Sequence, residues 1–590
     1  MMRVRPVTEE AFRRLVRTAK RQAPASMWLK GGNVLNVYTK EWQQVHIVTS
    51  GERIAYVGEK EPVVDEGTDI LDAEGYYLVP GYIEPHAHPF QWYNPATLAD
   101  FALQTGTTTM ISDTLFLNSL LPPEEVADIM EKLQAHPVKQ FFWARLDPQI
   151  RGQAEDAAYS RQGVAQMVAN PLVIQGGELT DWQGVLTEDE TILFGLKYVR
   201  DVGKRMEGHH PGASVETLNI AAAAGITACH ESITAEEVIN RLRLGMYATL
   251  RHSSIRPDLP ELVSGLVQRG VPWSSRMMLT SDGSTPPMMR HGFTDYILRV
   301  AMESGMPPLE AYVMATLNPA VYYGLDGEIG GIAPGRVADV LFLTSPEEPT
   351  PKLVIANGRR AVREGQLLEP TVELNWSAYG FPQVNHMLDG PVNPQWFRIP
   401  HEGKAVPVLE MTNAVITKLK WEELPADEEG YVTVEQDPEL SFLFCLDPRQ
   451  KRLTQAVVRG FGQMIEGMAS TYTASADWLI IGRDPKAMTR ALERVIRNGG
   501  GIALAEQGGI SMEIPLPLAG KLTDRPMGEI IAKAEEFVEQ MRQKGHRHLD
   551  PIYSLLFFTA THLPFVRLTG EGLYDVKQGT IILPSRKCDG

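Results

Sequence analysis

Residues 80–89 read Pro80-Gly81-Tyr82-Ile83-Glu84-Pro85-His86-Ala87-His88-Pro89. The run begins as a short apolar strand and stops at two histidines spaced i, i+2. Side chains alternate between the faces of a strand, so His86 and His88 point to the same side. Neutral imidazole is a common ligand for zinc and similar ions, and two of them converging at a strand end can begin a metal site. Two unpaired surface histidines would leave the same trace. The rest of the chain decides between these readings.

Residues 78–330 alternate strand-like and helix-like stretches, the pattern of a repeated βα fold with a parallel sheet. Eight strands are expected, at Leu78–Glu84, Thr107–Ser112, Gln140–Arg145, Leu172–Gln175, Lys204–Glu207, Ile226–Ala228, Tyr247–Leu250 and Arg276–Leu279. Eight strand–helix units in a segment of this size match an α/β class fold, a TIM-like (β/α)8 barrel, whose chemistry sits at the C-terminal strand ends. Polar residues fall at that phase: His86 and His88, Asp113, Asp147, Glu178, His209 and His210, His230 and Glu231, Arg251 and His252, and Asp282. Core histidines and surface acids have no reason to recur there.

The flanks read differently. An amphipathic helix is expected over residues 9–22, within a helical extension 1–26. Thr8 reads as its N-cap, Glu9 and Glu10 lie in the first turn, and Phe12, Leu15 and Val16 recur at helical spacing. Short strands separated by turn residues fill 27–77 and return at 331–370, so one small β-sandwich domain is expected from both flanks of the barrel. Residues 371–412 hold many prolines and few periodic runs and read as a linker. Residues 413–590 read as an α+β domain, with strands near Ala456–Val458 and Trp478–Ile481, a helix at Pro485–Asn498 and a long helix over 527–544.

A chain of 590 residues exceeds one core, and 43% apolar with 22% charged residues is ordinary globular composition. The net charge of -17, with no basic stripe, speaks against nucleic acid as the main partner. No stretch has the sustained apolar length of a membrane span, and no long apolar run follows the basic N-terminus as in a secretory signal. Cys229, Cys445 and Cys588 lie far apart, which fits a reducing cytoplasm.

Hydrolysis at a binuclear site needs histidines and a carboxylate on two metals, one ligand shared between them, and an acid to move protons. His86, His88, Glu178, His209, His230 and Asp282 supply that set. Two divalent ions are expected, and these ligand types suit manganese, iron or zinc alike. Such ions lower the pKa of a bound water, and a carboxylate beside the resulting hydroxide can carry its proton to a leaving group.

Further motifs are Gly106-Thr107-Thr108-Thr109, Gly208-His209-His210-Pro211-Gly212, Ala224-Gly225-Ile226-Thr227-Ala228-Cys229-His230-Glu231-Ser232 and Ala315-Thr316-Leu317-Asn318-Pro319-Ala320. The second domain adds Pro515-Leu516-Pro517-Leu518-Ala519-Gly520 and Leu568-Thr569-Gly570-Glu571-Gly572-Leu573-Tyr574-Asp575-Val576. Together with residues 80–88, these resemble the bacterial adenine deaminase family of the amidohydrolase superfamily over most of the chain.

The resemblance implies a ligand pair after strand one (His86, His88), a metal-bridging Glu178 after strand four, His209 and His230 after strands five and six, and Asp282 after strand eight. Asp282 and Glu178 are then the catalytic residues, with Asp113, Arg251 and Ser281 as substrate contacts. Asp113 reads equally well as a structural turn acid. The implied reaction is hydrolysis of adenine to hypoxanthine and ammonia, with a metal-bridging hydroxide attacking the amino-bearing ring carbon. The implied partner is a purine base or related heterocycle, and a homo-oligomer is compatible with it.

The chain departs from the family pattern around the ligands. It has Thr114-Leu115-Phe116-Leu117 for Pro-His-Glu-Ile, Cys229-His230-Glu231 for Asp-His-Glu and Arg251-His252-Ser253-Ser254 for Arg-Glu-Gly-Ser. It also has Ser281-Asp282-Gly283 for Thr-Asp-Asp and Thr473-Ala474-Ser475-Ala476-Asp477 for His-Asp-Ser-His-Asn. Two other functions stand beside the first. One is hydrolysis of a different amino-heterocycle or cyclic amide, which only pocket residues can separate. The other is a non-catalytic scaffold, which has no need of six ligands at six positions.

Single residues also have plain readings. Asp181 and Glu188 read as surface acids, and Glu178 alone could be one. His210 reads as a supporting or surface residue, and His252 as a core histidine. Cys229 reads as a small buried thiol with nothing near it in sequence to lower its pKa.

Overall fold

The computed structural model describes residue 4, residues 6–150 and residues 157–588. The outermost residues of the expected N-terminal extension and second domain (1–3, 5, 589–590) and the stretch 151–156 lie outside the described residues.

Eight parallel strands neighbour one another in chain order around a barrel. They are β1 (Tyr82–Ala87), β2 (Thr107–Ser112), β3 (Lys139–Ala144), β4 (Val173–Leu179), β5 (Arg205–Gly208), β6 (Ala228–Cys229), β7 (Tyr247–Arg251) and β8 (Met277–Thr280). A parallel bridge between Ala87 and Asp282 brings the last strand back to the first. Glu84 holds this seam: its carboxylate accepts from Thr280 Oγ1 at 2.6 Å and from Ser281 N at 3.0 Å. Burial raises its pKa to about 7 against the pull of those bonds.

The first strand starts later than its sequence suggests. Tyr77–Pro80 leaves the barrel and pairs antiparallel with Val340–Leu343. Gly81 is the break, because a Cβ there would lie 2.1 Å from Thr108 Oγ1 on β2. Through the Tyr77–Pro80 pairing, strands from 27–80 and 340–367 join in one nine-stranded sheet beside the barrel.

The N-terminal helix spans Glu9–Ala19 and is capped by Thr8, whose side chain accepts from Ala11 N. It stops short of residue 22 because Arg21 adopts a left-handed φ of 57°. Phe12 and Val16 on this helix are exposed.

The proline-rich stretch 371–412 is packed rather than a free tether. Trp376, Tyr379 and Phe381 are buried in one core with barrel residues. Val384, Trp396 and Phe397 are buried in the core of the second domain. Val406–Met411 is a strand of that domain's nine-stranded sheet. Proline removes a backbone donor and so limits regular structure, but it leaves side chains free to pack.

The second domain reaches the barrel directly. Leu522–Thr523 pairs in parallel with Trp92–Tyr93, in the loop after β1. Trp92 sits edge-on to Tyr472 and Phe537, with ring centroids 6.1 and 6.0 Å apart. A chain ended at residue 370 loses this cover and exposes a contiguous apolar patch. Such a truncation is expected to aggregate, or to lack activity if recovered. A monodisperse and fully active product on gel filtration would show that the barrel stands alone.

Candidate metal centre

The six expected ligands converge at the C-terminal mouth of the barrel. His86, His230 and Asp282 form one group, His86, His88 and Glu178 a second, and Glu178, His209 and His230 a third. Within each group the donor atoms lie within 4.8 Å of one another. Shared members make the three groups one continuous cluster. His86 Nε2 is 3.0 Å from His88 Nε2. Asp282 Oδ1 is 3.0 Å from His88 Nε2 and 3.7 Å from His86 Nε2. Glu178 Oε1 is 2.5 Å from His209 Nδ1 and 3.4 Å from His230 Nε2, and its Oε2 is 3.8 Å from His88 Nε2.

Three of the imidazoles are aimed by carboxylates behind them. Glu207, at the end of β5, accepts from His86 Nδ1 at 2.8 Å and from His230 Nδ1 at 3.1 Å. Asp113, just past β2, accepts from His88 Nδ1 at 2.9 Å. Burial opposes ionisation of Glu207, but His86 and His230 outweigh it and hold its pKa at about 2. Asp113 is held low against burial by the Arg145 guanidinium. An ionised carboxylate only accepts, so each Nδ1 must carry the hydrogen and each Nε2 lone pair turns to the centre. This is the usual support for metal-binding histidines.

The cluster fits divalent ions. Imidazole nitrogens and carboxylate oxygens are ligands for zinc, manganese and iron. His86 Nε2 and His88 Nε2 converge at 3.0 Å, close enough for one cation to take both. His230 Nε2 and His209 Nδ1 are buried without a hydrogen bond.

Asp282 reaches the centre through its backbone. Its φ of 52° lies in the left-handed region, sparsely used by residues with a side chain, though aspartate tolerates it better than most. Such conformations collect at functional sites. Ser281 faces the opposite way, with its amide bound to Glu84 and its hydroxyl to the Asp282 carbonyl. Ser281 is not among the residues that line the cavity. Asp113 is committed elsewhere likewise. Its oxygens are taken by Arg145, His88 and the Leu115 amide, so it stands behind His88. Arg251 does line the cavity, but its guanidinium is committed to Glu231 and, at 3.0 Å, to Asp282 Oδ2.

The plain readings sort as follows. His252 is buried edge-on to Tyr296, away from the cavity. His210 is buried and outside the cavity wall. Asp181 caps the helix Trp182–Leu186, and Glu188 is exposed. The Cys229 thiol departs from expectation: burial raises its pKa, but Arg241 and then His210 bring it down to about 5.

Two residues that matter here were not expected, and a third, Glu231, reads in the sequence only as a polar residue past a strand end. Glu207 orients two histidines. Arg145 pairs with Asp113 and, at 2.9 Å, with Glu178 Oε2. Glu231 Oε1 lies 3.3 Å from His230 Nε2 and 3.4 Å from His209 Nδ1. The signal for Glu231 was its place beside His230. For the other two, a charged last residue of an expected strand was the only trace.

A cavity of about 480 Å³ opens over the cluster, and both domains line it. The barrel contributes His88, Phe90, Phe116 and Asp282; the second domain contributes Ala474, Tyr553, Phe557 and His562.

The chain matches the amidohydrolase family over residues 77–362 and the adenine deaminase C-terminal domain over residues 414–580. An adenine deaminase of Moorella thermoacetica is 32% identical, with 98% of each chain covered. A protein of Halalkalibacterium halodurans, provisionally named an adenine deaminase, is 37% identical, again with 98% of each chain covered. The chain belongs to the adenine deaminase family. Among solved structures, the β-aspartyl dipeptidase of Fervidobacterium islandicum AW-1 covers 59% of this chain and 99% of its own, at 18% identity and a TM-score of 0.46.

Glu207→Gln tests how the ligands of this family member are held. Glutamine offers one acceptor and one donor where glutamate offers two acceptors. One of His86 and His230 must then move its hydrogen to Nε2 and lose its lone pair toward the centre. Metal affinity is expected to fall by about 10–100-fold, the usual cost of losing such support. Metal titration of the folded variant gives the answer, and unchanged affinity would remove Glu207 from this role.

Proposed function

We propose that this chain is a metal-dependent deaminase that converts adenine and water to hypoxanthine and ammonia. His86, His88, Glu178, His209, His230 and Asp282 would hold two divalent ions, of manganese, iron or zinc. The observation that carries this reading is the continuous six-residue cluster at the barrel mouth, in a chain that matches adenine deaminases along almost its whole length. When bound, such ions lower the pKa of a water near them and so make hydroxide available near neutral pH.

The remaining work falls to the chain. A purine is flat and apolar on its faces, and the cavity offers matching walls: Phe90 and Phe116 stack on each other with centroids 4.4 Å apart. Burial disfavours ionisation of Asp282, but His88 and Arg251 outweigh it, so the carboxylate starts as a base. It takes one proton from the attacking water as the oxygen–carbon bond forms and the C=N electron pair moves to the ring nitrogen. It returns that proton to the ring nitrogen. It then moves the second water proton to the amino nitrogen, the C–N bond breaks, and ammonia leaves. Glu178 stays ionised because Arg145 and His209 outweigh its burial, and it holds negative charge opposite the developing cationic leaving group.

Among the described residues, no helix is long and apolar enough to cross a membrane. No disulfide joins Cys229, Cys445 and Cys588. The lack of a disulfide among them fits a reducing compartment, and we place the enzyme in the cytoplasm on that ground.

Metal-loaded protein is expected to release equimolar ammonia and hypoxanthine from adenine and to carry two equivalents of metal by elemental analysis. Less than one equivalent would count against the site. Fully metallated protein inert toward adenine, but active on another amino-heterocycle, would redirect the substrate. Asp282→Asn keeps the shape and one oxygen but removes the base. Its kcat is expected to drop by about 10²–10⁴-fold, the usual range for lost general-base help, with most metal retained. Near-parental turnover by the loaded variant would rule this role out.

A further inference from the structure

The second domain puts several side chains into the cavity that the steps above do not use, Tyr553 among them. Tyr553 lies on the helix Pro551–Phe557 and is 3% exposed. It lines the cavity together with His88, Asp282 and Gly283. Among the described residues, its hydroxyl has no hydrogen-bond partner.

Gly283 shows how close this hydroxyl comes to the metal cluster. A Cβ built on Gly283 would lie 2.3 Å from the Tyr553 hydroxyl oxygen and 3.5 Å from His88 Cδ2. A side chain at position 283 would displace the hydroxyl, so the glycine beside Asp282 and the tyrosine belong together. The ring is fixed as well. It stacks on Phe557 with centroids 5.1 Å apart and 6° between planes. Asp550 caps the helix by accepting from the amides of Ile552 and Tyr553. The same Asp550 accepts from Thr285 Oγ1 at 2.6 Å. The loop that carries Asp282 and the helix that carries Tyr553 are thus tied to each other.

We propose that Tyr553 is a catalytic residue supplied by the second domain, whose hydroxyl donates a hydrogen bond to a ring nitrogen of the bound base other than the one that Asp282 protonates. This rests on the deaminase reading above. Electron density builds on the ring as oxygen adds to the amino-bearing carbon, so the bond is stronger in the addition state than in the bound substrate. Its contribution therefore falls on kcat rather than KM. The proton stays on the tyrosine oxygen throughout, and no further reactant is needed. Burial, reinforced by the nearby Asp282 charge, keeps the phenol well above its usual pKa, so the donor is present across the working pH range.

Tyr553→Phe keeps the stack on Phe557 and removes only the hydroxyl. In the full-length, metal-loaded enzyme its kcat on adenine is expected to fall by about 10²–10³-fold, as for loss of one donor to developing charge. KM, metal content and Tm should stay near parental. Gly283→Ala, which crowds the hydroxyl, is expected to lower kcat in the parent and to add little in the Tyr553→Phe background. That non-additivity reports the contact itself. An active parent with an equally active Tyr553→Phe variant overturns the proposal. So does a raised KM with kcat unchanged, which would assign the hydroxyl to ground-state binding, or a loss of activity that tracks lost metal or lost fold. A parent that releases no ammonia from adenine overturns the deaminase reading and this substrate contact with it.

Discussion

The site depends on one buried carboxylate that accepts from two imidazoles. Glu207 rises from β5 and meets His86 from β1 and His230 from β6, with Gln175 of β4 donating to it at 3.0 Å. Burying an ionised carboxylate costs several kcal/mol unless partners replace its water. Three donors do so here, and in return they fix which nitrogen of each histidine faces the centre. Asp113 repeats the arrangement for His88, with Arg145 as its countercharge. Below, His86 lies on Trp143 with centroids 4.6 Å apart. The ligands are therefore the top layer of a packed polar core, and their positions are set by residues that never reach the metals.

This layering explains what could be read from one dimension. The ligands were legible because strand ends recur in sequence and barrel chemistry collects at them. Glu207 was visible only as the last residue of an expected strand, where a solvated acid looks identical. Arg145 was equally silent, because its partners Asp113 and Glu178 come from other strands. Asp113 stays open between two readings in the sequence for the same reason: whether it faces substrate or a histidine depends on Arg145. The break at Gly81 follows from Thr108 on the neighbouring strand, and the lowered thiol pKa of Cys229 from Arg241 on the helix that follows it. Each miss is a contact between elements; each success is a periodicity or a motif within one.

The departures from the family pattern divide into two kinds once they are placed in space. Leu115, Phe116, Gly283 and Ala474 lie on the cavity wall, so those changes reshape what the cavity accepts. His252 does not reach it. Within the stretch Thr473–Asp477, Lys521 Nζ donates to the carbonyls of Thr473 and Ser475, and to that of Thr471 just before it. Burial brings this lysine down to about 7, yet its acceptors occupy it fully. Much of that stretch is thus built to hold a loop against the barrel mouth. The second domain is a wall of the site, and departures from the family pattern lie on both sides of the cavity, at Gly283 and at Ala474.

Charge gives the last constraint. Asp113, Glu178, Glu207 and Glu231 are buried carboxylates and Asp282 a partly buried one, clustered with the four histidines; the buried Arg145 and Arg251 and the partly buried Arg256 pair with members of this group. With the imidazoles neutral, the five negative charges outnumber the guanidinium groups that meet them. Such a deficit of positive charge in a low-dielectric interior is not stable alone. Protons can make it up on the imidazoles: burial pushes His88 down, but Asp113 and Asp282 carry it to about 9. Divalent cations held by these ligands would supply positive charge without protonating any of them, so cations and protons compete for the same sites.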